Sequence, residues 1–161
     1  MPIKVGDRLP EAKFRVMTTE GPAWKSTDDV FKGRKVALFG VPGAFTPTCS
    51  NLHMPSFLNN IEAFKGKGVD SVAVTAVNDV FVMEAWKKAN GADGKIDFLA
   101  DGNGEFAKGI DLVFDGSAGG LGARVKRFSM LVDNGVVKAI NVEDAPGKCD
   151  LTSGQALLKQ I

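Results

Sequence analysis

The chain has 161 residues, 44% of them apolar and 24% charged, which suits one domain around one sizeable core. Its 20 Lys and Arg nearly cancel its 19 Asp and Glu, so no strong field draws it to nucleic acid and no basic run marks a membrane surface. The start, Met1 to Asp7, has no signal-like apolar core and no apolar run reaches bilayer length, so a cytoplasmic chain without a membrane or nucleic-acid partner is expected.

Lys35 to Val41 and Asp70 to Val77 are short apolar runs rich in β-branched residues, the pattern of strands covered on both faces. Each is followed by a helical pattern, Thr48 to about Lys65 and then Val80 to Asn90. The βαβα order implies a parallel portion of sheet. Pro55, inside the first helix, should bend it, because proline lacks the N–H and crowds the carbonyl of Asn51. Gly116 to Gly122 lacks the Lys-Ser/Thr of a phosphate loop and the spacing of a dinucleotide fingerprint, and is read as a flexible connection. Arg127 to Val132 and Val136 to Ile140 flank Asp133-Asn134-Gly135, whose Asn-Gly pair suits a tight hairpin. Thr152-Ser153-Gly154-Gln155 has the spacing of a capping box opening a final helix. The expected fold is α/β and thioredoxin-like, a single domain over residues 1–161 with a central mixed β-sheet flanked by helices.

Two cysteines a hundred positions apart make neither a disulfide framework nor a four-ligand zinc site. Cys49 lies where a buried strand ends, a Pro/Gly turn follows and a helix begins. Thr46 is placed to cap that helix, its hydroxyl accepting from the Cys49 N–H, and Pro47 suits the first helical position. Cys49 then falls in the first turn, where unpaired amides and the positive end of the helix dipole favour a thiolate. Ionisation alone is a modest gain. A free thiol with a pKa of about 8.5 is roughly 3% ionised at pH 7, so full ionisation yields about 30-fold, or roughly 2 kcal/mol. The rest of an efficient reaction must come from donors that meet charge developing on the substrate.

The segment Pro42-Gly43-Ala44-Phe45-Thr46-Pro47-Thr48-Cys49-Ser50 resembles the peroxiredoxin active-site pattern of Pro, three residues, Thr, two residues, Cys, in the wording of the type II, or peroxiredoxin-five, subfamily. The resemblance continues through Cys49 to Pro55, Val77 to Trp86 and Lys126 to Met130. It implies a thiol peroxidase that reduces hydrogen peroxide and alkyl hydroperoxides through a Cys49 sulfenic acid. Recycling by glutathione with glutaredoxin, or by thioredoxin, is implied, as is a homodimer, with no metal, haem or flavin cofactor. Pro42 would shield the pocket, Thr46 would bond the peroxide, and Arg127 would support both thiolate and substrate. Lys126 should face away from Arg127, since side chains alternate along a strand; Arg124 is another cation nearby. Phe45, Leu112, Val113 and Phe114 would border the site mouth and the dimer contact.

His53, the only histidine, lies one helical turn beyond Cys49. It reads better as a packing residue behind the site than as a catalytic base, because peroxide attack needs no imidazole to protonate a leaving amine. Cys149 falls in the polar loop Glu143 to Asp150, where an exposed thiol is expected, and is either a resolving cysteine or an incidental surface thiol. A redox sensor or chaperone-like partner on the same fold, signalling through oxidised Cys49, is the alternative function. A thioredoxin-type disulfide oxidoreductase is disfavoured because Cys49 has no partner at C-x-x-C spacing.

Overall fold

The computed structural model describes all 161 residues. In chain order the strands and helices are β1 (Lys13–Thr18), β2 (Gly21–Ser26), α1 (Thr27–Phe31), β3 (Lys35–Gly40), α2 (Met54–Leu58), α3 (Ile61–Gly66), β4 (Ser71–Ala76), α4 (Val80–Ala89), β5 (Asp97–Ala100), α5 (Glu105–Gly109), β6 (Val113–Asp115), β7 (Ala123–Val125), β8 (Phe128–Asp133), β9 (Val136–Val142) and α6 (Gly154–Leu158). Seven strands form one mixed sheet in the order β2-β1-β5-β4-β3-β8-β9. Strands β3, β4 and β5 run parallel, and the remaining pairs are antiparallel. This is the thioredoxin-like arrangement expected.

The middle strands are apolar on both faces because both faces are covered. On β3, Ala37 and Phe39 enter one core cluster with Phe57, Phe64, Val74 and Trp86, beneath α2, α3 and α4. Val36 and Leu38 enter the other with Phe14, Phe31, Phe106 and Met130, beneath α1 and α5. Where β3 pairs with β8, Gly40 has no side chain because the Phe128 ring fills the space a Cβ would take. The β8–β9 hairpin turns at Asn134 and Gly135, both at positive φ (50° and 79°), as the Asn-Gly pair predicts.

Two local expectations are corrected. The run from Thr48 to Lys65 is not one bent helix: Cys49–His53 is a π-helical turn, in which the Met54 N–H reaches back to the Cys49 carbonyl. That wider turn sits just before Pro55, the residue that cannot supply the donor for the Asn51 carbonyl, and makes room for its ring. The helix stops at Asn59-Asn60, where the Asn60 amide caps the Ser56 carbonyl at 2.7 Å, and α3 restarts at Ile61. At the C-terminus the cap is Ser153, bonded to the Ala156 N–H at 3.1 Å, and no capping box forms. Thr152 is engaged by Glu143 instead. Gly116 to Gly122 is the hydrogen-bonded loop of the β6–β7 hairpin, closed by Gly116 N–H on the Gly122 carbonyl at 2.7 Å.

Candidate active site

β3 delivers the chain to Val41, and the turn Pro42 to Phe45 is held from two sides. The Asn78 side chain accepts from the Ala44 N–H at 3.0 Å, and Arg124 donates to the Pro42 carbonyl at 3.3 Å. Phe45 reverses direction at φ 66°, an uncommon conformation for a bulky residue, which points to a turn fixed by its surroundings. The helix then starts at Pro47, with Cys49 in its first turn. Its placement on the sheet is secured by the rings of Phe39, Phe57 and Phe64, stacked at 4.2 and 5.4 Å, and by the buried Trp86, whose indole N–H donates to Ser50 at 3.0 Å. Nothing in the single sequence pointed to Trp86, Ser50 or Asn78 as supports of this turn.

The Thr46 hydroxyl does not cap the Cys49 N–H as expected. It donates to the Gly43 carbonyl at 2.6 Å, and none of the structure's hydrogen bonds uses the Cys49 N–H. The reason is local: the turn brings the Gly43 carbonyl, three residues back, within reach of a hydroxyl that would otherwise face the helix. One donor of the first turn is therefore free, and Thr46 keeps its oxygen lone pairs as acceptors.

Arg127 is 2% exposed and lies in the link between β7 and β8 rather than at the start of a strand. Lys126, next to it, is exposed. The guanidinium donates from Nη2 to Cys49 Sγ at 3.1 Å, from Nη1 to His53 Nδ1 at 3.0 Å, and from Nε and Nη2 to the Pro146 carbonyl at 3.3 and 2.9 Å. A buried cation is stable only with such partners, and here one partner is the sulfur. Cys49 is itself buried, as is Pro42, and Thr46 is half-buried. The structure thus brings Cys49, Arg127 and His53 into one hydrogen-bonded group, with Thr46 three residues from the sulfur in the chain. A surface crevice of about 300 Å³ lies elsewhere, lined by residues such as Glu11, Lys13, Asp28 and Glu105.

His53 touches Arg127 and the Thr152 carbonyl (2.8 Å from Nε2), not the Cys49 sulfur. With Nε2 donating to a carbonyl, Nδ1 carries the lone pair that accepts from Arg127. Burial, and then the neighbouring guanidinium, pull its pKa down to about 3, against the opposing effect of the Thr152 carbonyl. A neutral His53 in the fold binds fewer protons than in the unfolded chain between pH of about 6.5 and about 3. Its contribution to stability is therefore complete above pH 6.5 and lost as pH falls, by up to about 1.4 kcal/mol per pH unit. Urea midpoints measured from pH 7 to pH 4 should fall more steeply for the native protein than for His53→Asn; parallel curves would show that His53 does not resist protonation.

Cys149 is half-buried rather than exposed. Burial pushes its thiol pKa up, opposed by the Arg127 charge and a hydrogen bond with Thr152, while Glu143 and Asp150 raise it further. Its loop is tied down by Glu143, whose own carboxyl group is buried. Of the apolar residues expected at the mouth, Phe45 and Val113 are exposed and Phe114 is half-buried. Leu112 is instead in the core with Phe106 and Ile110, because its backbone carbonyl pairs with Lys126 and its side chain turns inward.

Residues 4–158 match the Redoxin family. The chain is 43% identical over 161 residues to Peroxiredoxin-2C of Oryza sativa subsp. japonica, covering 99% of each. It is 40% identical to the chloroplastic Peroxiredoxin-2E of Arabidopsis thaliana, over 99% of this chain and 69% of that one. Among solved structures, reduced Prx3 from Vibrio vulnificus in complex with hydrogen peroxide superposes with a TM-score of 0.93 at 42% identity, covering 98% of both chains.

Proposed function

The chain belongs to the Redoxin family, as a type II peroxiredoxin and hence a thiol-dependent peroxidase, and on that premise we propose that Cys49 is the sulfur that meets the peroxide. The observation that carries this reading is the Arg127 Nη2 to Cys49 Sγ bond of 3.1 Å in the first turn of a helix. A guanidinium and a helix terminus both favour the thiolate. In the reaction the thiolate attacks one oxygen of the hydroperoxide, an S–O bond forms as the O–O bond breaks, and hydroxide or alkoxide leaves to take a proton from solvent. Thr46 accepts from the peroxide through the lone pairs its bond to Gly43 leaves free, the Cys49 N–H and Arg127 meet the developing charge, and Pro42 keeps competing water out.

The substrates are hydrogen peroxide and alkyl hydroperoxides, and a thiol restores Cys49. We assign that thiol to glutathione with glutaredoxin, or to thioredoxin. The first thiol displaces water from the sulfenic acid to give a mixed disulfide, and a second releases Cys49 as disulfide forms between the two. Cys149 enters only when its loop opens, because a half-buried thiol whose pKa is pushed up is a poor nucleophile in place. The working unit is the whole chain as one domain, in a cytoplasmic homodimer whose contact includes Phe45 and Val113, both exposed. No helix is long and apolar enough to cross a membrane.

Peroxide consumption with each reductant tests the cycle. Cys149→Ser should keep the rate driven by glutathione and glutaredoxin. Loss of turnover with both reductants in that variant would make Cys149 an obligatory partner and overturn the one-cysteine route.

A further inference from the structure

We propose that Glu143 is a positioning residue for the peroxidase reaction: its buried carboxyl group locks the loop 143–152 in the arrangement that aims Arg127 at Cys49. The inference rests on the reading of Arg127 as the group that supports the thiolate. Glu143 follows β9 directly and is 5% exposed. One oxygen, Oε2, accepts from the Asp150 N–H (3.0 Å), the Thr152 N–H (2.9 Å) and the Thr152 hydroxyl (2.7 Å). Its own N–H donates to the Arg127 carbonyl at 3.0 Å. A buried carboxyl group is tolerated only when donors converge on it, and these three draw the far end of the loop back to its start.

The closed loop touches the site three times. The Pro146 carbonyl takes two of the Arg127 donors, the Gly147 carbonyl accepts from Thr48 at 3.2 Å, and the Thr152 carbonyl accepts from His53 Nε2. Besides the sulfur, every partner of the guanidinium is therefore either in this loop or oriented by it. If Thr152 moves, the imidazole loses the carbonyl that fixes its tautomer, and a protonated Nδ1 would face a guanidinium donor instead of accepting from it. Glu143 acts through Thr152 and His53 and touches neither substrate nor sulfur. The same lock half-buries Cys149, so opening the loop to expose that thiol also releases Arg127.

The test uses the full-length protein carrying Cys149→Ser, so that Cys49 is the one thiol observed. Thiolate absorbance is titrated against pH, and single-turnover oxidation by hydrogen peroxide is followed by stopped flow, in Glu143→Ala, Glu143→Gln and Arg127→Gln. Glu143→Ala should move thiolate formation to higher pH and slow oxidation at pH 7 by about tenfold. Glu143→Gln keeps an acceptor oxygen at the junction and should stay within about threefold of its parent. A Glu143→Ala protein that melts earlier but titrates and reacts like its parent would overturn the proposal, leaving Glu143 a purely structural staple. Should that variant not fold, Thr152→Val, which deletes the hydroxyl bond to Glu143 while keeping both backbone groups of Thr152, is read in the same way: a shift in the same direction supports the proposal and parent-like behaviour rejects it. An unaffected Arg127→Gln would reject the reading of Arg127 as well, whereas an impaired Arg127→Gln beside an unaffected Glu143→Ala rejects the role of Glu143 alone.

Discussion

Cys49→Ser is expected to lose peroxidase activity by at least about a thousandfold, with either reductant and at every pH at which the protein is folded. The substitution changes one buried atom. A serine hydroxyl in that place can still bond to Arg127, so the Phe39, Phe57 and Phe64 stack and the π-helical turn should persist. What is lost is chemical: the hydroxyl does not ionise near neutral pH, and oxygen has no counterpart of the sulfenic acid. Steady-state peroxide consumption checks this, together with a near-native circular dichroism spectrum. Retention of more than a few per cent of turnover would assign the nucleophile elsewhere.

Arg127→Gln should slow oxidation of Cys49 by about 100-fold or more at pH 7 and by a smaller but still large factor at a pH where the thiolate is fully formed. Two separable effects predict this. The guanidinium bonds the sulfur and favours its anion, and it also meets charge on the oxygen that leaves. Arg127→Lys should restore little, because one ammonium cannot serve Cys49, His53 and the Pro146 carbonyl at once, as the planar fork does. The measurement is a pH series of stopped-flow oxidation rates. Full recovery of the native rate at high pH would confine Arg127 to thiolate formation.

Legibility in the sequence tracked how local the cause was. Strands β3 and β4 and helix α4 stood out because their apolar runs and periodicity are consequences of burial on two faces or one, and the Asn134-Gly135 turn because positive φ selects those residues. Strands β1 and β2 did not. β2 carries Pro22, Trp24 and Lys25 on a sheet edge, where half the positions face solvent and the pattern is weak. The helix after Cys49 was read too long because an apolar stripe continues past Asn59, while the break falls at two asparagines, poor helix formers, of which Asn60 turns its amide onto the Ser56 carbonyl.

The site divided in the same way. Pro42, Thr46 and Cys49 are close in sequence, so their spacing could be recognised. Arg127 was reached only through the resemblance, because 78 positions separate it from Cys49 and an Arg between two strands is unremarkable by itself. The Thr46 bond to Gly43, the neutral His53, and the Glu143 and Thr152 junction depend on where β9 and the following loop fold back, which no spacing rule encodes. Cys149 was expected to be exposed because its neighbours are polar. The side chains of Asp144, Lys148 and Asp150 do stay exposed; it is backbone groups of the loop, the Pro146 carbonyl and the Asp150 N–H, that turn inward to Arg127 and Glu143 and fold the thiol in with them.

The most direct test of the account is to mix the reduced protein with one equivalent of hydrogen peroxide in the presence of a sulfenic-acid trap and to locate the adduct by peptide mass spectrometry. The account predicts the adduct on Cys49, formed within the first turnover and strongly diminished in Arg127→Gln. An adduct on Cys149 with Cys49 still a free thiol would contradict it.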